Sequence, residues 1–193
     1  MRQITLSYPD VLDRRFDDLV KAYNYKPDLE SRVMDLGAAA GDRGWLKREE
    51  FLNIAKWKSA RPTPHYEKNS NEAVIKVSKL AFSATHDLEK ILLLTDLDGV
   101  RVRTATAILH LCFPKQFPLL DIWSVAAMGI SRDKAEKWGE LDWLRVWPDY
   151  AKNCRAYALN SGHDLRSIDR ALWAYGEQAG SKRTRKTVTS NEI

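Results

Sequence analysis

Asp121 closes the run Phe117, Pro118, Leu119, Leu120 and stands directly before the stretch IWSVAAMG, which reads as a helix. That places a carboxylate at a helix N-terminus, where the helix dipole favours its ionised form. A fixed anion of this kind can stabilise a developing positive charge and orient a water molecule. An aspartate ahead of a helix is also an ordinary N-cap, and the two roles are compatible. A second set of candidates lies upstream. Residues 86–113 read HDLEKILLLTDLDGVRVRTATAILHLCF: a helix, a tight turn holding Gly99, and a second helix with Thr104 and Ala105 in its first turns. A turn leading into a helix N-terminus leaves backbone N–H groups unpaired and pointing outward, where a phosphate can accept them. Gly99, Val100, Arg101, Arg103 and Thr104 are therefore candidate phosphate-binding residues. Such a turn grips a nucleic-acid backbone without reading its sequence, although Gly99 also fits a plain turn between helices.

Other chemistries find little support. His65, His86, His110 and His163 are isolated, and Cys112 and Cys154 sit at positions that fit apolar helix faces rather than a C-x-x-C pair. The pattern argues against zinc, an iron–sulfur cluster and a disulfide framework, so no metal and no cofactor is expected. Aromatic rings are plentiful, with seven tryptophans and seven tyrosines. The segment Trp57, Lys58, Ser59, Arg61 couples an aromatic ring to cations ahead of a proline-fixed turn, and Asp169, Arg170 and Trp173 lie together on a late helix. Trp57, Lys58, Arg61, Trp123 and Trp173 are the candidates for ring and cation contacts with a nucleic acid, at its bases or its backbone. For Lys58 and Arg61 a solvated loop is an equal alternative, and Trp123 and Trp173 also suit a core.

The elements that must position these groups are all helical. Leu12, Phe16, Leu19 and Tyr23 recur at helical spacing, as do Leu29, Val33 and Leu36, before GAAAGDRG breaks the pattern. Phe51, Ile54 and Ala55 mark a helix ending near Trp57, and SARPTPHY is a loop by its prolines. Further faces are Val74, Val77, Ala81; Leu88, Ile91, Leu92; and Val102, Ala105, Leu109, Cys112. Pro148 suits the first position of a helix that ends before Gly162, and Asp164 caps the next, with Leu165, Ile168, Leu172 and Tyr175 on one stripe. No stretch alternates as a strand does. The reading is an all-α fold of nine or ten short helices, one unit over residues 1–180, with a basic, disordered tail at 181–193.

The hairpin and the aspartate together carry a resemblance. L-D-G-V-R-V-R-T-A resembles the L-P-G-V-G-x-x-T-A hairpin of the endonuclease III and adenine-mismatch glycosylase superfamily. Seventeen residues after Thr104, F-P-L-L-D resembles the segment that ends in that family's catalytic aspartate. The likeness covers about residues 86–130. It implies a two-lobed helix-hairpin-helix glycosylase fold with a DNA cleft between the lobes, and Asp121 as the catalytic carboxylate. Departures are informative. Asp98 replaces the usual proline and Arg101 the second glycine, so the hairpin must bend differently or accept strain of about 1 kcal/mol for a left-handed non-glycine residue. Arg103 stands where bifunctional members carry a lysine nucleophile, and a guanidinium cannot form a Schiff base. The cluster-binding cysteines that some members carry are also missing. The resemblance therefore implies a monofunctional enzyme that flips a modified, damaged or mispaired base out of duplex DNA and hydrolyses its N-glycosidic bond. As the base leaves, the sugar becomes oxocarbenium-like, and the Asp121 carboxylate suits that cation.

Charge is compatible with this. The chain carries +5, of which the last fourteen residues supply +3, leaving a mildly basic body. No 18-residue apolar run and no secretory signal appears, so a cytoplasmic, nucleoid-associated and monomeric protein is expected, acting in base-excision repair or in defence against phage with modified bases. Two other readings stay open: a non-catalytic helix-hairpin-helix DNA-binding module, and a helical protein-interaction domain whose hairpin is accidental.

Overall fold

The structure is a computed structural model that describes residues 6–189, with side chains as far as Gly180. Among the described residues every regular element is a helix. Leu12, Phe16 and Leu19 make the buried face of α1 (Val11–Ala22). The next helix, α2 (Pro27–Arg43), runs on through GAAAGDR and stops only at Gly44, whose φ of 84° is left-handed, so the break that the sequence predicts over GAAAGDRG falls at its last residue. Packing explains the difference. A Cβ at Gly37 would lie 2.6 Å from the carbonyl oxygen of Leu111, and one at Gly41 would lie 2.1 Å from that of Cys112. The two glycines, one turn apart, thus let α2 press backbone to backbone against α7 (Val102–Cys112), which offsets their weak helix propensity. The inward stripe of α2 is accordingly Glu30, Val33, Gly37 and Ala40, and Leu29, expected inside, is half exposed.

α3 (Arg48–Lys58) ends close to the expected point. The proline-rich stretch after it is not all loop: it forms the single turn α4 (Thr63–Tyr66), whose start tolerates Pro62 and Pro64 because amides there need no helical partner. α5 (Asn71–Ser83) begins at Ser70, whose hydroxyl accepts the Ala73 amide. α6 (Asp87–Leu94), a turn and α7 realise the expected helix, hairpin and helix. On α6 the inward residues are Ile91 and Leu94, while Leu88 and Leu92 face outward. α7 is enclosed, and Arg103 is its only residue that is not buried.

The last helices are α8 (Ile122–Ala127), α9 (Arg132–Ala135), α10 (Glu140–Ser161) and α11 (Leu165–Thr189). Pro148 lies inside α10 instead of opening it. The helix begins earlier, where the Asp142 carboxylate accepts the Gly139 amide at 3.1 Å, and it stops at Gly162, whose φ of 77° is left-handed. Asp164 caps α11 as expected, accepting the amides of Arg166 and Ser167 at 2.9 Å each. The α11 backbone continues to Thr189, so the segment from 181, expected as a disordered tail, is helical to that point, and residues 190–193 of that expectation lie outside the described residues.

α1 packs on α11 and α11 on α8, while α2, α3 and α7 pack on one another and α5 on α6. α10 touches α6, α7 and α11 and so joins the two groups, and the buried side chains form one continuous cluster. A buried ionic net also crosses between them: Arg166 of α11 donates to Glu30 of α2 at 3.0 Å through Nε and bonds Asp169, while Arg170 reaches the same Glu30 oxygen. Among the described residues no helix is long and apolar enough to cross a membrane.

Candidate active site

The segment that delivers Asp121 is extended and wholly buried from Phe117 to Leu120. Each of its backbone polar groups that turns inward must find a partner, and three buried side chains provide them. His110 Nδ1 lies 2.7 Å from the Phe117 carbonyl, the Tyr150 hydroxyl donates to the Leu119 carbonyl at 2.7 Å, and Thr106 Oγ1 accepts the Leu120 amide at 3.4 Å. Two of those anchors come from α7 and one from α10. Asp121 then caps α8: its Oδ1 accepts the Trp123 amide at 3.0 Å.

The other carboxylate oxygen, Oδ2, accepts from Lys58 Nζ at 2.6 Å, and the two side chains are only 15% and 10% exposed. Burial disfavours ionisation, but the Lys58 charge, the hydrogen bonds from Lys58 and the Trp123 amide, and the Arg103 charge outweigh it. The Asp121 carboxyl is therefore held below its ordinary range. Lys58 is itself fixed from behind. The Tyr25 hydroxyl reaches the carbonyls of Trp57 and Lys58 at 3.0 and 2.9 Å, and Lys26 Nζ donates to the Trp57 carbonyl at 2.6 Å. Both partners satisfy carbonyls that the end of α3 leaves open. The Tyr25 hydroxyl is pushed up to about 12 by burial and by the nearby Asp121 charge, so it stays protonated.

The hairpin turn has a comparable scaffold. Gly99 has φ 80°, and a Cβ there would fall 2.8 Å from His65 Cβ and 2.9 Å from Tyr66 Cδ1, so the position requires glycine twice over. Asn69 brackets the preceding residue, accepting the Asp98 amide at 2.9 Å and donating to its carbonyl at 3.1 Å. Arg101 departs from the expectation of strain: at φ −118°, ψ 170° it is ordinary extended backbone, and a side chain costs nothing there. Among the described residues the amides of Arg103 and Thr104 donate to no carbonyl outside their own helix, as the first turn of α7 dictates.

Asp121, Lys58, Arg61 and the hairpin residues Gly99, Val100, Arg101, Arg103 and Thr104 line a single open cavity of about 700 Å³. Exposed Arg61 forms no ion pair among the described residues. The three tryptophans expected near a base do not reach it. Trp57 is 2% exposed, with the Arg166 guanidinium over its ring at 5.5 Å. Trp123 packs against Arg132 at 4.5 Å, and Trp173 meets Tyr23 and Tyr25. Trp57 is thus a core ring, whereas Trp123 and Trp173 are half-buried against other helices. Asp169 and Arg170 belong to the buried net around Glu30, where burial pushes the Asp169 carboxyl up to about 6. Among the described residues, His65 is the one aromatic residue that lines the cavity. Sequence reasoning missed Tyr25, Lys26, His65 and Asn69. Their roles arise from contacts between distant segments, and the sole local signal was the histidine beside a proline-fixed turn. Among the described residues no three His, Cys, Asp or Glu side chains group to hold a metal ion.

No family model, curated protein or solved structure matches this chain.

Proposed function

We propose that this chain is a monofunctional DNA glycosylase of the helix-hairpin-helix kind, two-lobed, with duplex DNA lying across the cavity and Asp121 facing the deoxyribose of a flipped nucleotide. The observation that carries the reading is that Asp121 lines the same cavity as the hairpin, together with Lys58, Arg61, Arg101 and Arg103. The cations favour phosphates, and the hairpin amides suit the backbone. Asp121 stabilises the oxocarbenium-like sugar as the base departs, and the water it orients completes hydrolysis. Lys58 keeps the carboxylate ionised until substrate enters and must shift from Oδ2 for that oxygen to meet the sugar. No lysine occupies the hairpin position of Arg103, so strand cutting by that route is not part of the proposal. The substrate is a modified, damaged or mispaired base, and the setting is the cytoplasm and nucleoid, in base-excision repair or defence against modified phage DNA.

One observation favours the second reading, a non-catalytic DNA-binding module: both Asp121 oxygens already have partners, as a purely structural cap would. A single experiment separates the two. Oligonucleotide duplexes carrying different lesions and modified cytosines are incubated with the protein and treated with alkali to reveal abasic sites. The glycosylase reading expects release from at least one substrate and its loss, by a factor of about a thousand or more, in Asp121→Asn, with duplex affinity equal or higher. Salt-sensitive duplex binding with no release from any substrate, and no effect of Asp121→Asn, would establish the binding module instead.

A further inference from the structure

The hairpin's leading amide is already taken. The Val102 N–H, first in α7, donates to Glu140 Oε2 at 2.8 Å, and Glu140 Oε1 lies 3.8 Å from Arg101 Nη1. Three residues further along α10, the Trp143 ring sits under the Arg103 guanidinium at 4.8 Å. The first turn of α10 thus supplies a carboxylate to the amide, an anion to one hairpin cation and a ring to the other. A phosphate at this helix start would seek the same amide and the same Arg101 charge. The folding of α10 does not need Glu140 in this role, because Asp142 already caps that helix through the Gly139 amide. Nor is the side chain trapped: Glu140 is 41% exposed and Arg101 76% exposed, so both can turn into solvent.

We propose that Glu140 is a built-in anion that fills the hairpin's phosphate position in the free protein, so that duplex DNA binds by displacing it. This rests on the reading of the hairpin as a backbone clamp and names a regulation of that same site. The physical consequence is a weaker grip on undamaged duplex. Non-specific affinity comes from protein cations that neutralise phosphates, and an internal carboxylate subtracts from that sum while leaving Arg61, on the cavity wall, outside this contact. A weaker resting grip shortens the stay on each undamaged stretch.

The test compares the full-length wild type with Glu140→Gln, which keeps the shape and an acceptor for the Val102 amide, and with Glu140→Ala, which removes both. Binding to an unmodified duplex is titrated across a range of salt. Displacement expects both variants to bind about threefold to tenfold more tightly than wild type at low salt, the scale of one carboxylate's interaction with a helix start. Unchanged or weaker binding with a lowered melting temperature makes Glu140 a structural tether and overturns the proposal. A second arm uses inorganic phosphate alone and follows the Val102, Arg103 and Thr104 amides by nuclear magnetic resonance. Those amides should shift at lower phosphate in Glu140→Gln than in wild type, and equal or absent shifts overturn the proposal. Should the wild type bind no duplex at all, the clamp reading itself fails, and the phosphate arm still decides whether Glu140 competes.

Discussion

Lys58 and Asp121 form the pair on which the proposed chemistry turns, and a charge left unpaired at low exposure has measurable effects. Lys58→Met removes the attractive charge and one hydrogen bond while retaining most of the packing, so the Asp121 carboxyl should titrate at higher pH than in wild type. A carboxyl depressed on folding contributes stability that is present above its unfolded value and lost as pH falls through its folded value. Carbon resonance titration of the Asp121 side chain would display the upward move, and thermal melting at neutral pH should show a loss of about 1–3 kcal/mol. An unmoved Asp121 titration would mean that the Trp123 amide and Arg103 hold the carboxylate unaided. Asp121 and Gly99 were legible in the sequence because their requirements are local: a carboxylate before a helix, and a residue free to adopt positive φ in a two-helix turn. Lys58 was legible as a cation near a turn, but its partner lies 63 positions away, and no local pattern encodes that distance.

The contact of α2 with α7 shows how an element can be misread from its own composition. The three glycines in GAAAGDRG signal a break when propensity alone is weighed, yet only Gly44 ends the helix, and Gly37 and Gly41 are the residues that admit the facing backbone. Gly41→Ala is a test in which propensity and packing predict opposite signs. Propensity favours alanine by about 1 kcal/mol, whereas a Cβ 2.1 Å from the Cys112 carbonyl oxygen forces the helices apart. The variant should be destabilised by about 2–4 kcal/mol in denaturant titration, and because Cys112 ends the helix that opens at the hairpin, duplex affinity should fall with it. Pro148 was misplaced for a related reason: a proline reads as a helix start, but α10 carries it internally because the elements packed around that helix hold it together. Helix existence was thus legible nearly everywhere, whereas which face turns inward was legible only where large apolar side chains marked it, as on α1 and α11.

His110 shows how the protein as a unit responds to acid. Its ordinary value of 6.5 is lowered to about 3, first by burial and then by the Arg166 charge. Below about pH 6.5 the unfolded chain takes up a proton that the folded chain refuses, so stability falls as pH drops from there toward 3, by at most about 1.4 kcal/mol per pH unit. Urea unfolding at pH 7 and pH 5 should show the wild type losing about 2 kcal/mol more across that interval than His110→Gln, which keeps a donor for the Phe117 carbonyl. An equal loss in both proteins would place the acid sensitivity elsewhere. The buried net of Glu30, Arg166, Asp169 and Arg170 was not legible in the sequence as a net: Asp169 and Arg170 stood out only as charges beside Trp173, and nothing local ties them to Glu30 on a helix far away in the chain.

The seating of α1 against α11 has a further consequence for how the chain is made. Helices α2 to α7 find their main partners among themselves and can condense as they leave the ribosome, but α1, made before them, has its principal partner in α11, made after them. Its apolar face, Leu12, Phe16 and Leu19, therefore stays uncovered until α11 is made, and closing so long a loop comes among the last steps of folding. In pulse-labelled refolding, amides of α1 should gain protection after those of α7.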